Sequence, residues 1–307
     1  MSPSQLALAY TIDLLAGDPE WFPHPVRGFG ALISNGERQL RKCIAGPRQE
    51  LVAGAALTAA VSSVAWAVGR PRNPAWQVAL GWTALATRSL LSEASSVVRA
   101  LEADDLPLAR TRLARIVGRD TAKLNESEIA RAVIETLAES ACDGIIAPLF
   151  WLALCGVPGA MAYKAINTMD SMIGHREPPY EYFGRAAARL DDLVNLAPAR
   201  LTALLIVVAA RTQGLDAARS RDIWLRDGDL HASPNAGQSE AAMAGALGVV
   251  LGGRNTYDGV AHQSPVINVE GRTPTVADAR SALTTVAIIS GVAVGLAVLF
   301  LFTRRRK

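Results

Sequence analysis

Residues 282–302 run without a single charged side chain and are followed, after Thr303, by Arg304-Arg305-Arg306-Lys307. A helix needs about 20 apolar residues to cross the hydrocarbon of a bilayer, so this run predicts a membrane-spanning helix. Basic residues beside a span mark the cytoplasmic side, which places the tail inside. Gly291 and Gly295 stand four apart in it; that spacing permits close helix packing but arises readily in any Ala- and Gly-rich span. A second uncharged run, 51–69, stops at Arg70-Pro71-Arg72-Asn73-Pro74, a turn built from breakers. Residues 75–91 then predict a returning arm, so that 51–91 forms a transmembrane hairpin. Arg38, Arg41, Lys42 and Arg48 precede the hairpin, and Arg99, Arg110, Arg112, Arg115, Arg119 and Lys123 follow it. Both of its ends are therefore expected on the cytoplasmic side, with 92–143 a cytoplasmic helical loop.

Composition supports a chain that lives in lipid. Of the 307 residues 50% are hydrophobic and 19% charged, and the apolar ones are mainly Ala, Leu and Val, which suit helices better than sheets. The expected class is all-α: a polytopic integral membrane protein, one domain over 1–307, with broken or re-entrant helices and polar loops. The first basic residue is Arg27, so no charged leader is visible and targeting would come from the internal spans. The net charge is only +3, and no basic stripe interleaved with aromatics occurs, which argues against nucleic acid as a partner.

Three further apolar segments are weaker. Residues 144–161 are interrupted by Pro148, Gly156, Pro158 and Gly159, while 201–210 and 241–253 are short. Runs of this length are more often buried or re-entrant than spanning. If all three stay inside, the last span carries the basic tail outside; if all three cross, the tail is inside and the polar loops alternate. The region 144–280 that holds them also holds most of the polar clusters.

Ionisable groups near membrane depth are costly and suggest function. Asp13 and the stretch Gly17–Arg27 bring Asp18, Glu20, Trp21, His24 and Arg27 onto a proline-rich loop, which serves equally as a rigid connector. Glu135, Glu139 and Asp143 recur every four residues, an acidic helical stripe that calls for a cation such as Mg²⁺, or else a solvated face. Lys164, Asn167, Asp170 and Ser171 fall within an arc of about 120° on a helix, followed by His175 and Arg176. That face suits phosphate and metal contacts, or is an ordinary amphipathic helix. Arg185, Arg189 and Asp192 lie near one face and match either a phosphate or an internal ion-pair ladder. Ser233-Pro234-Asn235-Ala236-Gly237-Gln238-Ser239-Glu240 precedes an apolar helix and offers free N–H groups to an anion, or simply caps the helix.

The absences are informative. His24, His175, His231 and His262 form no zinc-like pair, and Cys43, Cys142 and Cys155 show no metal or disulfide spacing. No Walker, Rossmann or G-x-S-x-G motif occurs, which leaves NTP-loop, dinucleotide and serine-hydrolase readings without support.

Five ordered strings, GDPEWFPHPVRGFGALI, ESACDGIIAPLFW, GVPGAMAYKAINTMDSMIGHR, YFGRAAARLDDLVNLAPARLTALL and SPNAGQSEAAMAGALGVVLGG, resemble hallmark segments of the CobD/CbiB family of adenosylcobinamide-phosphate synthases. The resemblance implies a multi-pass protein of the inner (cell) membrane. It implies an ATP-dependent ligase that joins adenosylcobyric acid to (R)-1-aminopropan-2-ol phosphate, or a related aminoalcohol, as adenosylcobinamide phosphate. ATP and Mg²⁺ are then expected, with a corrinoid and an aminoalcohol phosphate as substrates. Other membrane enzymes of cobamide assembly, or a second copy, are candidate partners. Under this reading Glu139, Asp143 and Asp170 have metal or base roles beside Lys164 as catalytic residues. Asp18, His24, Arg27, Asn167, Ser171, His175, Arg176, Arg185, Arg189, Asp192, Ser233, Asn235, Gly237 and Glu240 contact substrate. A membrane transporter, for which Pro- and Gly-broken helices beside polar residues are also suited, and an AmpE-like signalling protein without ligase activity are the competing readings.

Overall fold

The computed structural model describes residues 1–19 and 22–305, with the side chain of Arg305 left aside; Glu20, Trp21, Arg306 and Lys307 lie outside the described residues. The chain is predominantly helical, as expected. It divides into two compact units, one made of 1–86, 147–195 and the segment from 294 onward, the other of 87–146 and 196–293.

In the first unit, α1 (Pro3–Ala16), α2 (Pro25–Leu40), α3 (Pro47–Gly69) and α4 (Pro74–Ala84) each open with proline in the first turn. Proline is pre-set for that position, where its missing N–H costs nothing. Ser2 and Gln5 close a capping box on α1, and Asn73 caps α4 by accepting from Ala75 and Trp76. The unit is completed by α8 (Ala147–Ile173), the first part of α9 (Arg185–Thr212) and the end of α12 (Val276–Arg305).

The packing of α3 on α8 fixes this unit. A Cβ on Gly69 would strike the backbone of Pro158, and one on Gly54 would strike the carbonyl of Phe183. Pro158 lies early in α8 and Phe183 follows its end, so the two helices run antiparallel, with backbone contact between them at Gly69. α8 is broken at Gly156, whose φ of +67° is outside the helical region, and Pro158 follows where a new helical stretch starts. Arg304 donates to the Leu154 carbonyl at 2.9 Å, so the end of α12 sits beside that break.

In the second unit, α5 (Thr87–Glu102), α6 (Leu106–Leu113) and α7 (Glu126–Ala141) precede a π turn (Cys142–Ile146) that leads into α8. α10 (Ala217–Asp227) packs on α11 (Ala236–Leu247), every residue of which is buried. An antiparallel hairpin follows, β1 (Leu251–Tyr257) and β2 (Val260–Ile267), paired from Leu251–Ile267 to Tyr257–Val260. Asp258 and Gly259 turn it with φ of +48° and +78°, as a two-residue hairpin loop requires.

Among the described residues, four helical stretches are long and apolar enough to cross a membrane: Pro47–Gly69, Glu126–Ile173, Arg185–Thr212 and Val276–Arg304. Their outward residues include Val52, Leu204, Val208, Leu296, Leu299 and Phe302, a surface matched to lipid. The spans expected at 51–69 and 282–302 are present. The weak segments 144–161 and 201–210 prove to be parts of long helices. The 241–253 run instead divides between the end of α11, a buried helix of 12 residues and about 18 Å that is too short to cross, and the start of β1. The returning arm 75–91 does not form as one helix. α4 stops at Ala84, Leu85 is extended, and α5 starts at Thr87; 11 residues reach only about 16 Å. Without that arm, Arg48 at the start of α3 and Arg304 beside its far end stand at opposite ends of a helix about 34 Å long. A crossing α3 thus separates two basic groups expected on one side.

Gly184 has no room for a side chain, because a Cβ there would fall on the Ile173 carbonyl. Gly184→Ala should destabilise the detergent-solubilised protein by about 1–3 kcal/mol, seen as a lower melting temperature; an unchanged midpoint would contradict this packing.

Candidate functional site

The polar face expected on α8 forms. Lys164, Asn167 and Asp170 are half-buried and Ser171 is exposed, while Ala165, Ile166, Met169 and Ile173 are buried. The first part of α9 anchors this face. The Tyr163 hydroxyl lies 3.0 Å from Asn195 Oδ1, Asn195 Nδ2 donates to Asp191 Oδ2 at 3.0 Å, and Asn167 Nδ2 donates to Asp191 Oδ1 at 3.4 Å. Asp191 and Asn195 are themselves buried, so this ladder satisfies groups that would be costly if left bare. Tyr163 carries no sequence signal for such a role, since it reads as one more apolar position.

A cavity of about 280 Å³ opens where Lys164 meets the N-terminal loop; Asp18, His24 and Arg27 line it with Thr83 and Leu85. The loop is shorter than expected, because α2 already starts at Pro25. His24 Nδ1 accepts from Val26 N–H at the cap, and its Nε2 lies 3.4 Å from Asp18 Oδ1. Trp82 Nε1 donates to the Gly17 carbonyl at 2.9 Å and its ring meets Phe22 at 4.8 Å, pinning the loop to α4. Asp13 is fully buried on α1 rather than on the loop.

A second cavity, about 250 Å³, lies where α8 gives way to α9 and is lined by His175, Arg176, Glu181, Arg185, Arg189 and Asp192 among others. Arg189 and Asp192 form a 3.7 Å ion pair, so the ladder reading of that helix is partly realised. The connecting segment is held from below. Arg41 donates to the Pro179 carbonyl at 2.9 Å and its guanidinium lies over the rings of Phe183 and Tyr180, at 4.5 and 5.3 Å.

The second unit holds the remaining candidates. The acidic stripe does not lie on one exposed face. Glu135 is buried, Glu139 is exposed, and Asp143 is half-buried within the π turn, which shifts the helical phase. Arg119 donates to Glu135 Oε2 at 2.6 Å and to Asn255 Oδ1 at 2.9 Å, and Gly252 N–H donates to Glu135 Oε1 at 2.8 Å. Arg131 adds donors to the carbonyls of Gly252 and Arg254. Glu135 is thus the anchor of the hairpin. Residues so distant in sequence give no local signal of this pairing.

The 233–240 segment is a cap rather than an open row of donors. Ser233 Oγ accepts the N–H groups of Asn235 and Ala236, both at 3.3 Å. A Cβ on Gly237 would strike the Gly228 carbonyl, so that glycine serves close packing of α11 on the segment after α10. Arg200 reaches Asn235 Oδ1 at 3.4 Å. Glu240 is buried, and burial, together with the nearby Glu135 and Glu139, pushes its carboxyl well above the usual range. Among the described residues no three His, Cys, Asp or Glu side chains gather into a metal-sized group. Mg²⁺ often takes only one or two carboxylates and completes its shell with water and phosphate oxygens. Glu139 and Asp143, a turn apart, fit that mode.

A helical protein with four membrane-length stretches and charged cavities beside a broken helix is a polytopic membrane protein with a polar site. The model of the CobD/CbiB protein family matches residues 6–286, and the chain belongs to that family. It is 50% identical over 266 residues to the cobalamin biosynthesis protein CobD of Pelobacter propionicus, covering 84% of this chain and 82% of that one. The CobD of Citrobacter koseri is 44% identical over 277 residues, with 85% of each chain covered. The cobalamin biosynthesis protein CbiB of Salmonella typhimurium is 43% identical over 271 residues, again with 85% of each. No solved structure matches the chain.

Two outcomes follow from the second unit. Arg119→Met removes one of the two cations at the buried Glu135, leaving Arg131 at 4.0 Å and the Gly252 N–H, and should cost about 1.5–3 kcal/mol, with faster amide exchange across 251–257; unchanged exchange would contradict the anchor. An ordinary Glu titrates near about 4.3, whereas folded Glu240 keeps its proton to higher pH. The folded state then holds the extra proton between those values, so stability falls as pH rises through that window. Glu240→Gln should flatten the decline of melting temperature with pH, and superimposable profiles would contradict the shift.

Proposed function

We propose that this chain acts in cobalamin biosynthesis as an amide ligase of the inner cell membrane, joining adenosylcobyric acid to an aminoalcohol phosphate with ATP to give adenosylcobinamide phosphate. Family membership supports the pathway. The observation that carries the chemistry is the polar face of α8, which starts from Lys164 at one charged cavity; the helix ends at Ile173, and His175, two residues further on, lines the other cavity.

Ligation needs a carboxylate made electrophilic and an amine made nucleophilic. Transfer of the terminal phosphoryl group of ATP to the propionate carboxylate gives an acyl phosphate and ADP. The free amine attacks its carbonyl carbon, the bond to the phosphate oxygen breaks, and phosphate leaves while the nitrogen loses a proton. Mg²⁺, when bound, would neutralise charge on the phosphates, and Glu139, Asp143 and Asp170 are the carboxylates assigned to hold it or to take the proton. Lys164, Arg176, Arg185 and Arg189 supply positive charge to phosphates, where oriented cations stabilise the charge that develops on transfer. Asp18, His24 and Arg27 complete the Lys164 cavity, Asn167 and Ser171 position substrate on the α8 face, and the 233–240 cap with Glu240 shapes its own unit. Amine attack is favoured over hydrolysis to the extent that bound substrates exclude water from the acyl phosphate.

Membranes carrying Asp143→Asn or Lys164→Met should lose about 10²–10³-fold in rate of amide formation, followed by mass of the corrinoid product. Full activity in both would contradict these assignments.

A further inference from the structure

The break in α8 at Gly156 borders a cavity of about 450 Å³, lined by Leu154, Cys155, Gly156, Leu301 and Arg304 among others. It lies at one end of the first unit, and that end has the make-up of a membrane–water boundary. Trp66, a turn before the end of α3, and Trp76, in the first turn of α4, are both exposed. Trp76 Nε1 donates to the Val68 carbonyl at 3.0 Å, which ties the ring to the turn between the two helices. Tryptophan collects at the level of the lipid headgroups, where its apolar body and polar N–H are both accommodated. Arg70 and Arg72 follow α3, whose last residue, Gly69, packs on the backbone of Pro158, two residues past the break.

The charges at this end are not matched from within the chain. Arg304 Nη1 donates to the Leu154 carbonyl at 2.9 Å, which holds the guanidinium at the cavity wall. A guanidinium has five N–H donors. Among the described residues no carboxylate lies within ion-pair distance of Arg304, Arg70 or Arg72. Arg119, Arg226 and Arg272 of the second unit, by contrast, each hold a carboxylate. Exposed cations at headgroup level draw anionic lipid.

The walls decide which anion fits. Leu154 is exposed, and the neighbours of Leu301 on α12, Phe300 and Phe302, turn outward together with Leu299. A free phosphate would use the guanidinium and leave that apolar surface untouched. A phospholipid uses both, because charge attraction and buried apolar area add in binding at a membrane surface.

We infer that this cavity binds the headgroup of an anionic phospholipid, with the phosphate on Arg304 and the acyl chains along the outward side of α12. Such a lipid bridges the end of α12 and the break in α8. The site stands apart from the residues assigned to ligation and does not depend on that reading.

The test titrates the full-length protein in detergent with phosphatidylglycerol and with phosphatidylcholine, reading Kd by native mass spectrometry. Cys155 is exposed and lines the cavity, so its rate of maleimide labelling locates the lipid; Cys43, also exposed but outside the cavity, is the internal control. Phosphatidylglycerol should bind tighter than phosphatidylcholine. At about ten times its Kd it should slow Cys155 labelling about tenfold, with Cys43 unchanged. Arg304→Ala should raise the Kd at least about tenfold, as loss of a hydrogen bond to a charged group implies. That variant also removes the bond to Leu154, so Leu154→Trp is the second: it fills the cavity, keeps the guanidinium and should weaken binding as well. Equal affinity for the two lipids, an unprotected Cys155, or full affinity in either variant would overturn the inference. So would an equal loss in Arg72→Ala, which would mean a diffuse basic surface in place of a site. Protection of Cys155 by glycerol 3-phosphate at the same concentration would assign the cavity to soluble phosphates and overturn it too.

Discussion

The hydrogen-bond ladder Tyr163–Asn195–Asp191–Asn167 is the interaction on which the site depends. It joins two helices of membrane length through buried polar groups, which an apolar surround makes costly to leave unpaired. Because the ladder satisfies them, α8 can carry Lys164, Asn167 and Asp170 on one face and Ile166, Met169 and Ile173 elsewhere. Everything that resembles chemistry in the first unit hangs from this arrangement. Lys164 reaches the N-terminal loop, and the end of the helix delivers His175 and Arg176 opposite Arg185 and Arg189.

The close packing of α3 on α8 gives the ladder its fixed frame. Gly69 leaves no space for a side chain against Pro158 of α8, and Gly54 leaves none against Phe183 in the segment that follows α8, so backbone contacts hold α3 at both ends. Small residues serve this purpose in lipid, where helices gain from dispersion rather than from the hydrophobic effect. The break at Gly156 and Pro158 sits at one end of that contact and the braced 174–184 segment near the other. Polar groups are therefore mounted on backbone that has few alternatives, as orientation-dependent chemistry demands.

Much of this was legible in the sequence, for reasons that differ by element. Uncharged runs at 51–69 and 282–302 announce spans directly, and the three- and four-residue spacing among Lys164, Asn167, Asp170 and Ser171 announces a helical face. Residues 144–161 looked broken because Pro and Gly do interrupt them, yet Pro158 stands just after the kink, where it starts a helical stretch rather than ending one. The 201–210 run looked short because the preceding half of α9 is charged, and charge does not stop a helix. The 75–91 arm failed at one extended residue, Leu85, which no composition rule marks. The Asp258-Gly259 pair is a hairpin signal that was open to sequence reading. The Glu135–Arg119–Asn255 anchor was not, because its partners are brought together only by tertiary folding.

The central claim is that these charged cavities serve amide ligation. It is tested most directly by incubating the purified protein with adenosylcobyric acid, an aminoalcohol phosphate, Mg²⁺ and ATP and weighing the corrinoid by mass spectrometry. The ligase reading requires a product heavier by the aminoalcohol phosphate less one water, formed only when ATP is present. Unchanged adenosylcobyric acid from active, folded protein, with vesicle uptake of either substrate in its place, would contradict it.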